Sequence, residues 1–235
     1  MRIAIVHSFY RSESPSGENL IVDGQIESLR NAGHDVTLVS TASDDTTWSA
    51  RHLLSAGVRV MRWDGFDPAP ALRAVRPDVV HVHNLFPNFG YGWLAAWQGP
   101  VVATLHNFRP VCANGLLFRN GAACLDCPSG QPWSAVIHGC YHQSRAASLP
   151  LAIRNRNGVA GDRLLMRADA VVLLSNRAAS LMEGFGLDRS RCVVLPNGIE
   201  VPVPDPAIGR SDQWVAAFIG RLSEEKGILE LLGDW

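Results

Sequence analysis

Lysine is almost absent from this chain. Of its 21 basic residues 20 are arginine, and the single lysine, Lys226, stands nine residues from the end. An excess of either charge is missing too: 21 basic residues against 22 acidic ones leave a net charge of −1. That balance excludes the broad basic field that draws nucleic acid or an anionic membrane. Cysteine is scarce, five in 235 residues, which excludes a disulfide-dense secreted scaffold. No run approaches the ~18 apolar residues of a membrane-spanning helix. The first apolar run covers only residues 3–6 and no small-residue cleavage site follows, so no signal peptide is expected. The compartment these absences imply is the cytoplasm.

What is present is the composition of a globular protein, 47% apolar and 18% charged. Short apolar, β-branched runs at 3–6, 36–39, 58–61, 78–83, 100–105, 170–174 and 192–195 read as seven strands. Between them lie helix-like segments. Residues 20–32 carry Ile21, Ile26 and Leu29 at helical spacing, and Gly33 stops the run. Further helical stretches read at 48–56, 69–75, 91–97 and 176–184. A longer one before residue 170 is interrupted near Pro150 and Gly158. Strands that are apolar throughout, alternating with helices, predict an α/β fold: an open, doubly wound parallel sheet, Rossmann-like, covered on both faces.

The predicted organisation has three parts. Residues 1–200 form the sheet domain, with a cysteine-rich insertion at 106–143. Residues 201–212 form a stiff linker marked by Pro202, Pro204 and Pro206. Residues 213–235 offer one strand, 214–219, and one helix, 224–232. One strand and one helix bury no core alone, so they read as the incomplete opening of a second domain.

Ligands of such sheets bind beyond the carboxyl ends of the strands. The first strand leads to Gly17 and Glu18. One glycine is not the three-glycine dinucleotide fingerprint, which argues against a nicotinamide or flavin enzyme. An epimerase-type Tyr-x-x-x-Lys pair is also missing, since Leu222 precedes Lys226 by four. Gly17 at a helix start either exposes backbone N–H groups to an anion or merely permits a turn. The fifth predicted strand ends in His106-Asn107, where His106 is a catalytic candidate or a hydrogen-bonded structural histidine. His81 and His83 alternate with Val82 and share a face; at least one reads as interior. Arg221 and Lys226 flank the start of the last helix. Two cations there suit a diphosphate, or else a solvated helix start with Glu224 and Glu225 placed for the dipole.

Several of these pieces occur in an order that resembles the retaining glycosyltransferases of family 4. They are Ser16-Gly17-Glu18, Pro77-Asp78-Val79-Val80-His81-Val82-His83, Thr104-Leu105-His106-Asn107, Leu195-Pro196-Asn197-Gly198-Ile199 and Gly220-Arg221-Leu222-Ser223-Glu224-Glu225-Lys226-Gly227. The resemblance implies the GT-B architecture of two facing Rossmann-like domains, with residues 1–200 as the N-terminal, acceptor-side one. It implies transfer, with retention, from a nucleotide-sugar donor to a glycan or lipid-linked acceptor, in cell-envelope polysaccharide synthesis. Arg221, Lys226 and Gly17 then serve the donor diphosphate, and His106 the donor sugar and catalytic centre. Glu18, Asn107 and Asn197 line the acceptor side of the cleft. Retention would run by front-face attack, a donor phosphate oxygen taking the acceptor proton, with no catalytic cofactor. The family's paired-glutamate motif lies downstream of Trp235, so a truncated and inactive form is expected. The alternative is a non-catalytic Rossmann-like module that binds a sugar or a partner.

Four cysteines, Cys112, Cys124, Cys127 and Cys140, are spaced C-x11-C-x2-C-x12-C. They could hold a structural zinc, with His138 and His142 as alternative ligands. Free buried thiols or disulfides are the other readings. Cys192 reads as core. Tyr91, Trp93 and Trp97, with Arg145, Arg154, Arg156, Arg163 and Arg167, read either as a peripheral contact with the inner face of a membrane or as a buried face backed by solvated arginines.

Overall fold

A computed structural model describes residues 1–9, 16–42, 50–198, 217–220 and 222–234. The elements alternate as the apolar runs predict. Strand β1 (Arg2–Phe9) is followed by α1 (Gly17–Asn31), β2 (Asp35–Ala42), α2 (Ala50–Arg62), α3 (Ala69–Val75), β3 (Val79–Asn84) and β4 (Val101–Leu105). The cysteine-bearing segment holds a two-stranded antiparallel hairpin, β5 (Phe118–Arg119) and β6 (Ala122–Ala123), and one turn of helix, α4 (Ser134–Ile137). The long helical stretch divides into α5 (Arg145–Asn155), α6 (Gly158–Gly161) and α7 (Arg163–Arg167). The expected interruption near Pro150 is not there, since α5 runs through it, and the first break falls at 156–157, just before Gly158. Then come β7 (Ala170–Leu173), α8 (Asn176–Gly184), β8 (Cys192–Val194) and, near the end, α9 (Ile228–Asp234).

Six strands form one parallel sheet in the order β2-β1-β3-β4-β7-β8. The chain moves from β1 outward to β2, then returns to the other side of β1 for β3. The strand order therefore reverses between β1 and β3, and in open sheets of this kind the carboxyl ends at such a reversal are where ligands bind. Side chains alternate across each strand. On one face Ala4, Val6, Val80, Val82, Val101, Ala103, Val171 and Leu173 build the larger core. On the other, Ile3, Ile5 and Val36 pack under Val22 and Ile26 of α1. Ser16 caps α1, its side chain accepting the Glu18 N–H.

One predicted strand is replaced by helix. Residues 58–61 are not a strand; they are the last turn of α2. Gly57, Val60 and Met61 are the partly covered positions, at i, i+3 and i+4, and α2 leans on α5 there. Gly57 lets the helices approach, since a Cβ would lie 3.2 Å from Pro150. The next strand after β2 is β3, which crosses to the far side of β1, and among the described residues no strand pairs with the outer edge of β2. The expected strand 214–219 falls partly outside the described residues. In its described part, 217–219, Ile219 is 96% exposed.

The linker residues Pro202, Pro204 and Pro206 lie outside the described residues. Of the two readings of the aromatic segment, Tyr91, Trp93 and Arg154 take the buried face. Tyr91 and Trp93 are buried in the larger core, and Arg154 is 7% exposed. Arg154 stacks over Trp63 and Tyr91, at 4.2 and 4.6 Å from the ring centroids, and donates to the Tyr91 hydroxyl. Among the described residues no helix is long and apolar enough to cross a membrane.

Candidate active site

Strand parity brings four histidines to the carboxyl end of the sheet. His7 lies in the buried part of β1, near its carboxyl end. A register shift between Val6 and His7 sets His7 opposite Asn84 of β3. His81 and His83 project from β3 opposite to Val80 and Val82, and His106 follows β4 directly. The rings touch in series. His81 Nε2 is 2.7 Å from the Thr104 hydroxyl, and His83 Nδ1 is 2.9 Å from His106 Nε2. The His83 and His106 rings stack at 5.2 Å between centroids, and His7 stands edge-on to His83 at 6.3 Å. His7 Nε2 shares a hydrogen bond of 3.1 Å with Asn19 Oδ1 at the start of α1.

Glu18 reaches this row from the first turn of α1. Its Oε1 is 4.0 Å from His7 Nδ1, and Asn84 hydrogen-bonds the carboxyl group. Arg109, three residues past His106, contributes the nearby positive charge. Its guanidinium lies 4.7 Å above the Phe86 ring and donates to the Ala113 carbonyl at 2.9 Å. Asn107 holds the turn by accepting the Arg109 N–H at 3.0 Å.

Burial sets the protonation. Desolvation lowers all four imidazoles, His81 and His106 to about 4, and His83 further because His81, His106 and His7 crowd it with like charge. The row is therefore neutral at pH 7, and the His83–His106 contact is one N–H donating to one lone pair. Glu18 moves the other way. Its burial pushes it up to about 7, against the pull of Arg109 and Asn84. A carboxyl group near 7 is set to give or take a proton at neutral pH. His7 Nδ1, Glu18 Oε1, His83 Nε2 and Arg109 Nε are buried without a hydrogen-bond partner. Four unpaired polar atoms around one crevice are a demand for polar ligand groups.

The predicted site residues divide. Gly17, Glu18, His106 and Asn107 come to the β1/β3/β4 end of the sheet. Among the described residues a Cβ at Gly17 would meet no atom within 4 Å, and its φ is not positive. Asn197 is exposed beyond β8, two strands past β4. Lys226 is exposed at the end of a 3-10 turn, Glu224–Lys226, and Arg221 lies outside the described residues. The sequence reading took His83, with His81, as an alternating pair of which at least one is interior, and passed over His7 and Arg109. The available signal was position: His7 directly follows the apolar run 3–6, and Arg109 follows a strand-end histidine by three.

The four cysteines of the insertion also meet. Cys112, Cys124, Cys127 and Cys140 line one small pocket with Phe118 and Arg119. Each of Cys127 and Cys140 is held up by burial first and then by the charge of the neighbouring thiols. His138 and His142 are exposed and do not line it. Cys192 is partly exposed on the edge strand β8, not fully in the core.

An open parallel sheet with polar groups gathered where its strand order reverses defines a Rossmann-like domain. Residues 17–202, more than half of the chain, match Glycosyltransferase Family 4, and the chain belongs to that family of enzymes. No curated protein matches it. Among solved structures it is similar to S. aureus MnaA in complex with UDP, at 11% identity and TM-score 0.40, over 82% of this chain and 43% of that one. It is also similar to Anabaena HepE in complex with UDP and glucose, at 11% identity and TM-score 0.37, over 85% of this chain and 45% of that one. The chain spans less than half the length of either structure.

Proposed function

We propose that the chain is the acceptor-side domain of a nucleotide-sugar-dependent glycosyltransferase. In this reading a sugar passes, with retention, to a glycan or lipid-linked acceptor. The observation that carries the reading is the neutral histidine row with Glu18 at the β1/β3 crevice of a family 4 sheet. Breaking a bond between a sugar and a diphosphate leaves positive charge on the sugar and negative charge on the leaving group. Neutral imidazoles suit the sugar side, because cationic rings would oppose the growing positive charge. His106 is the ring we assign to the donor sugar. Glu18, near its midpoint at pH 7, would bond an acceptor hydroxyl, with Asn107 and Asn197 on the same side.

The diphosphate needs donors. Free N–H groups of the first turn of α1, around Gly17, supply some, and Lys226 and Arg221 would add positive charge. With no protein nucleophile assigned, a donor phosphate oxygen takes the acceptor proton as the acceptor attacks from the leaving-group face. No catalytic cofactor is needed for these steps. A lipid-linked acceptor would bring the protein to the inner face of a membrane.

The chain by itself is expected to be inactive, so the test is transfer by this domain complemented with a family 4 donor-binding domain, from a panel of nucleotide sugars to lipid-phosphate and glycan acceptors, followed by nucleoside diphosphate release and the product's anomeric NMR signal. The expected product keeps the donor's anomeric configuration, and His106→Ala lowers the rate at least about 100-fold. An inverted product would overturn retention. Sugar binding without transfer from any donor would favour the non-catalytic module.

A further inference from the structure

We infer that Cys112, Cys124, Cys127 and Cys140 form a tetrathiolate site for a structural zinc ion. The observation is convergence. Cys112 follows β4 by seven residues, Cys124 follows the β5–β6 hairpin, Cys127 sits in the next turn and Cys140 follows α4. Four separate stretches of loop thus bring sulfur to one small enclosed pocket. Thiolate sulfur is a soft ligand, and four of them select zinc over magnesium or calcium. Loop geometry supports the site: this segment has only a two-pair hairpin and one helical turn to hold it. A closed metal site is what gives such a short-range fold its rigidity.

The surroundings fit the charge. Four thiolates around one divalent ion carry a net −2, which needs nearby donors. Arg119 lines the same pocket; its Nη2 pairs with Asp126 at 3.0 Å, while Nη1 is buried with no hydrogen-bond partner. That second edge is free to donate to a thiolate. Phe118, Ala113 and Pro128 supply the dry wall. Among the described residues no group of three or more ligand-type side chains is closed tightly enough to hold an ion as it stands. The cause is visible for two of the four. Cys112 Sγ donates to Asn114 Oδ1 at 2.9 Å, and Cys127 Sγ turns toward the Pro132 carbonyl at 4.0 Å. Rotation about each Cα–Cβ bond releases these weak thiol bonds and turns the sulfurs inward. Metal binding then expels the thiol protons, up to four per zinc.

The consequence reaches the crevice. Cys112 N–H bonds the Phe108 carbonyl at 2.8 Å, within the turn that carries Asn107 and Arg109. A zinc clip would hold that turn, and with it the Arg109 guanidinium, against the histidine row. This role is independent of which sugar is transferred.

The experiment uses the full 235-residue chain, purified anaerobically with reductant. Metal content, intact mass and cysteine alkylation are measured on the same sample. About one zinc per chain is expected, with Cys112, Cys124, Cys127 and Cys140 protected from alkylation until a chelator is added and Cys192 indifferent to it. Added zinc, and not magnesium, should restore the protection. Cobalt in place of zinc should show the intense visible bands of tetrahedral thiolate coordination. Zinc below about 0.2 equivalents overturns the site, as does an intact mass showing these four cysteines already paired as disulfides. Cys124→Ser with Cys127→Ser should abolish zinc retention; should that variant fail to fold, the cobalt spectrum of the unaltered chain decides alone.

Discussion

The two faces of β3 and β4 teach the most by contrast. They share one backbone, yet Val80, Val82, Val101 and Ala103 on one side meet only hydrocarbon, while His81, His83 and Thr104 on the other form a polar row. A period of two is enough to separate them. The hydrocarbon face fixes the strands by burial. The polar face borrows that rigidity to hold rings that, on a loop, would pay in entropy for every contact. The difference sets unequal tolerances on the two sides of a single strand.

The largest expected effect comes from breaking the hydrocarbon side. Val82→Asp places an unpaired charge in the larger core and should cost about 4 kcal/mol or more. The neighbouring His83→Leu, on the polar side, should cost about 1 kcal/mol or less, because it also removes a buried, unpaired Nε2. Urea unfolding followed by circular dichroism measures both; equal losses would erase the contrast.

Acid should strike the polar side next. Above 6.5 these histidines are neutral folded or unfolded. Between 6.5 and about 4 the unfolded chain binds protons that buried His81 and His106 do not, so stability falls as pH falls. Glu18 opposes this. Folded, it keeps its proton up to about 7, whereas unfolded it loses it near 4.5, so its share of stability is lost as pH rises through that window. The histidines outnumber it, and a net loss of about 3 kcal/mol is expected between pH 7 and pH 4.5. Denaturation midpoints that stay flat or rise on acidification would contradict the neutral row.

Glu18→Gln isolates the opposing group. At pH 8 it removes a buried charge and should stabilise the fold by about 2 kcal/mol; at pH 4.5, where both side chains are neutral, it should change nothing. A stabilisation independent of pH would mean the carboxyl group is not held up by burial. The smallest effect belongs to Gly17→Ala. With open space for a Cβ and an ordinary φ, it should stabilise α1 by about 0.5 kcal/mol. If the backbone there meets the donor diphosphate, KM for the donor rises at the same time; an unchanged KM removes Gly17 from the site.

Much of the fold is legible before any coordinates. The six sheet strands, the break beside Gly158 and the helix that Gly33 ends all follow from local pattern, whereas α5 continues through Pro150, where the sequence reads an interruption. The exception is instructive. Val58 and Val60 alternate like a strand, but Gly57, Val60 and Met61 also fit a helix, and four residues do not distinguish the two periods. Only the tertiary structure settles it, since α2 packs against α5 through this stretch. In the site, His106 and Glu18 stand out as polar residues at element ends. His83 does not, because a histidine alternating with valines reads as interior. It is interior, and it is also the partner of His106.

By itself the sequence determined the alternation of strands and helices, the parity that separates imidazole from valine, and the family to which the order of motifs points. These are local properties, carried by periods of two and 3.6 and by residues at element ends. Only the tertiary structure decided that the strand order reverses between β1 and β3, that His7 and His106 both flank His83, and that four cysteines spread over 29 residues face one pocket. Those facts depend on which strands pair and where loops return. Pairing is a contest among distant partners, and no short window of sequence contains both of them.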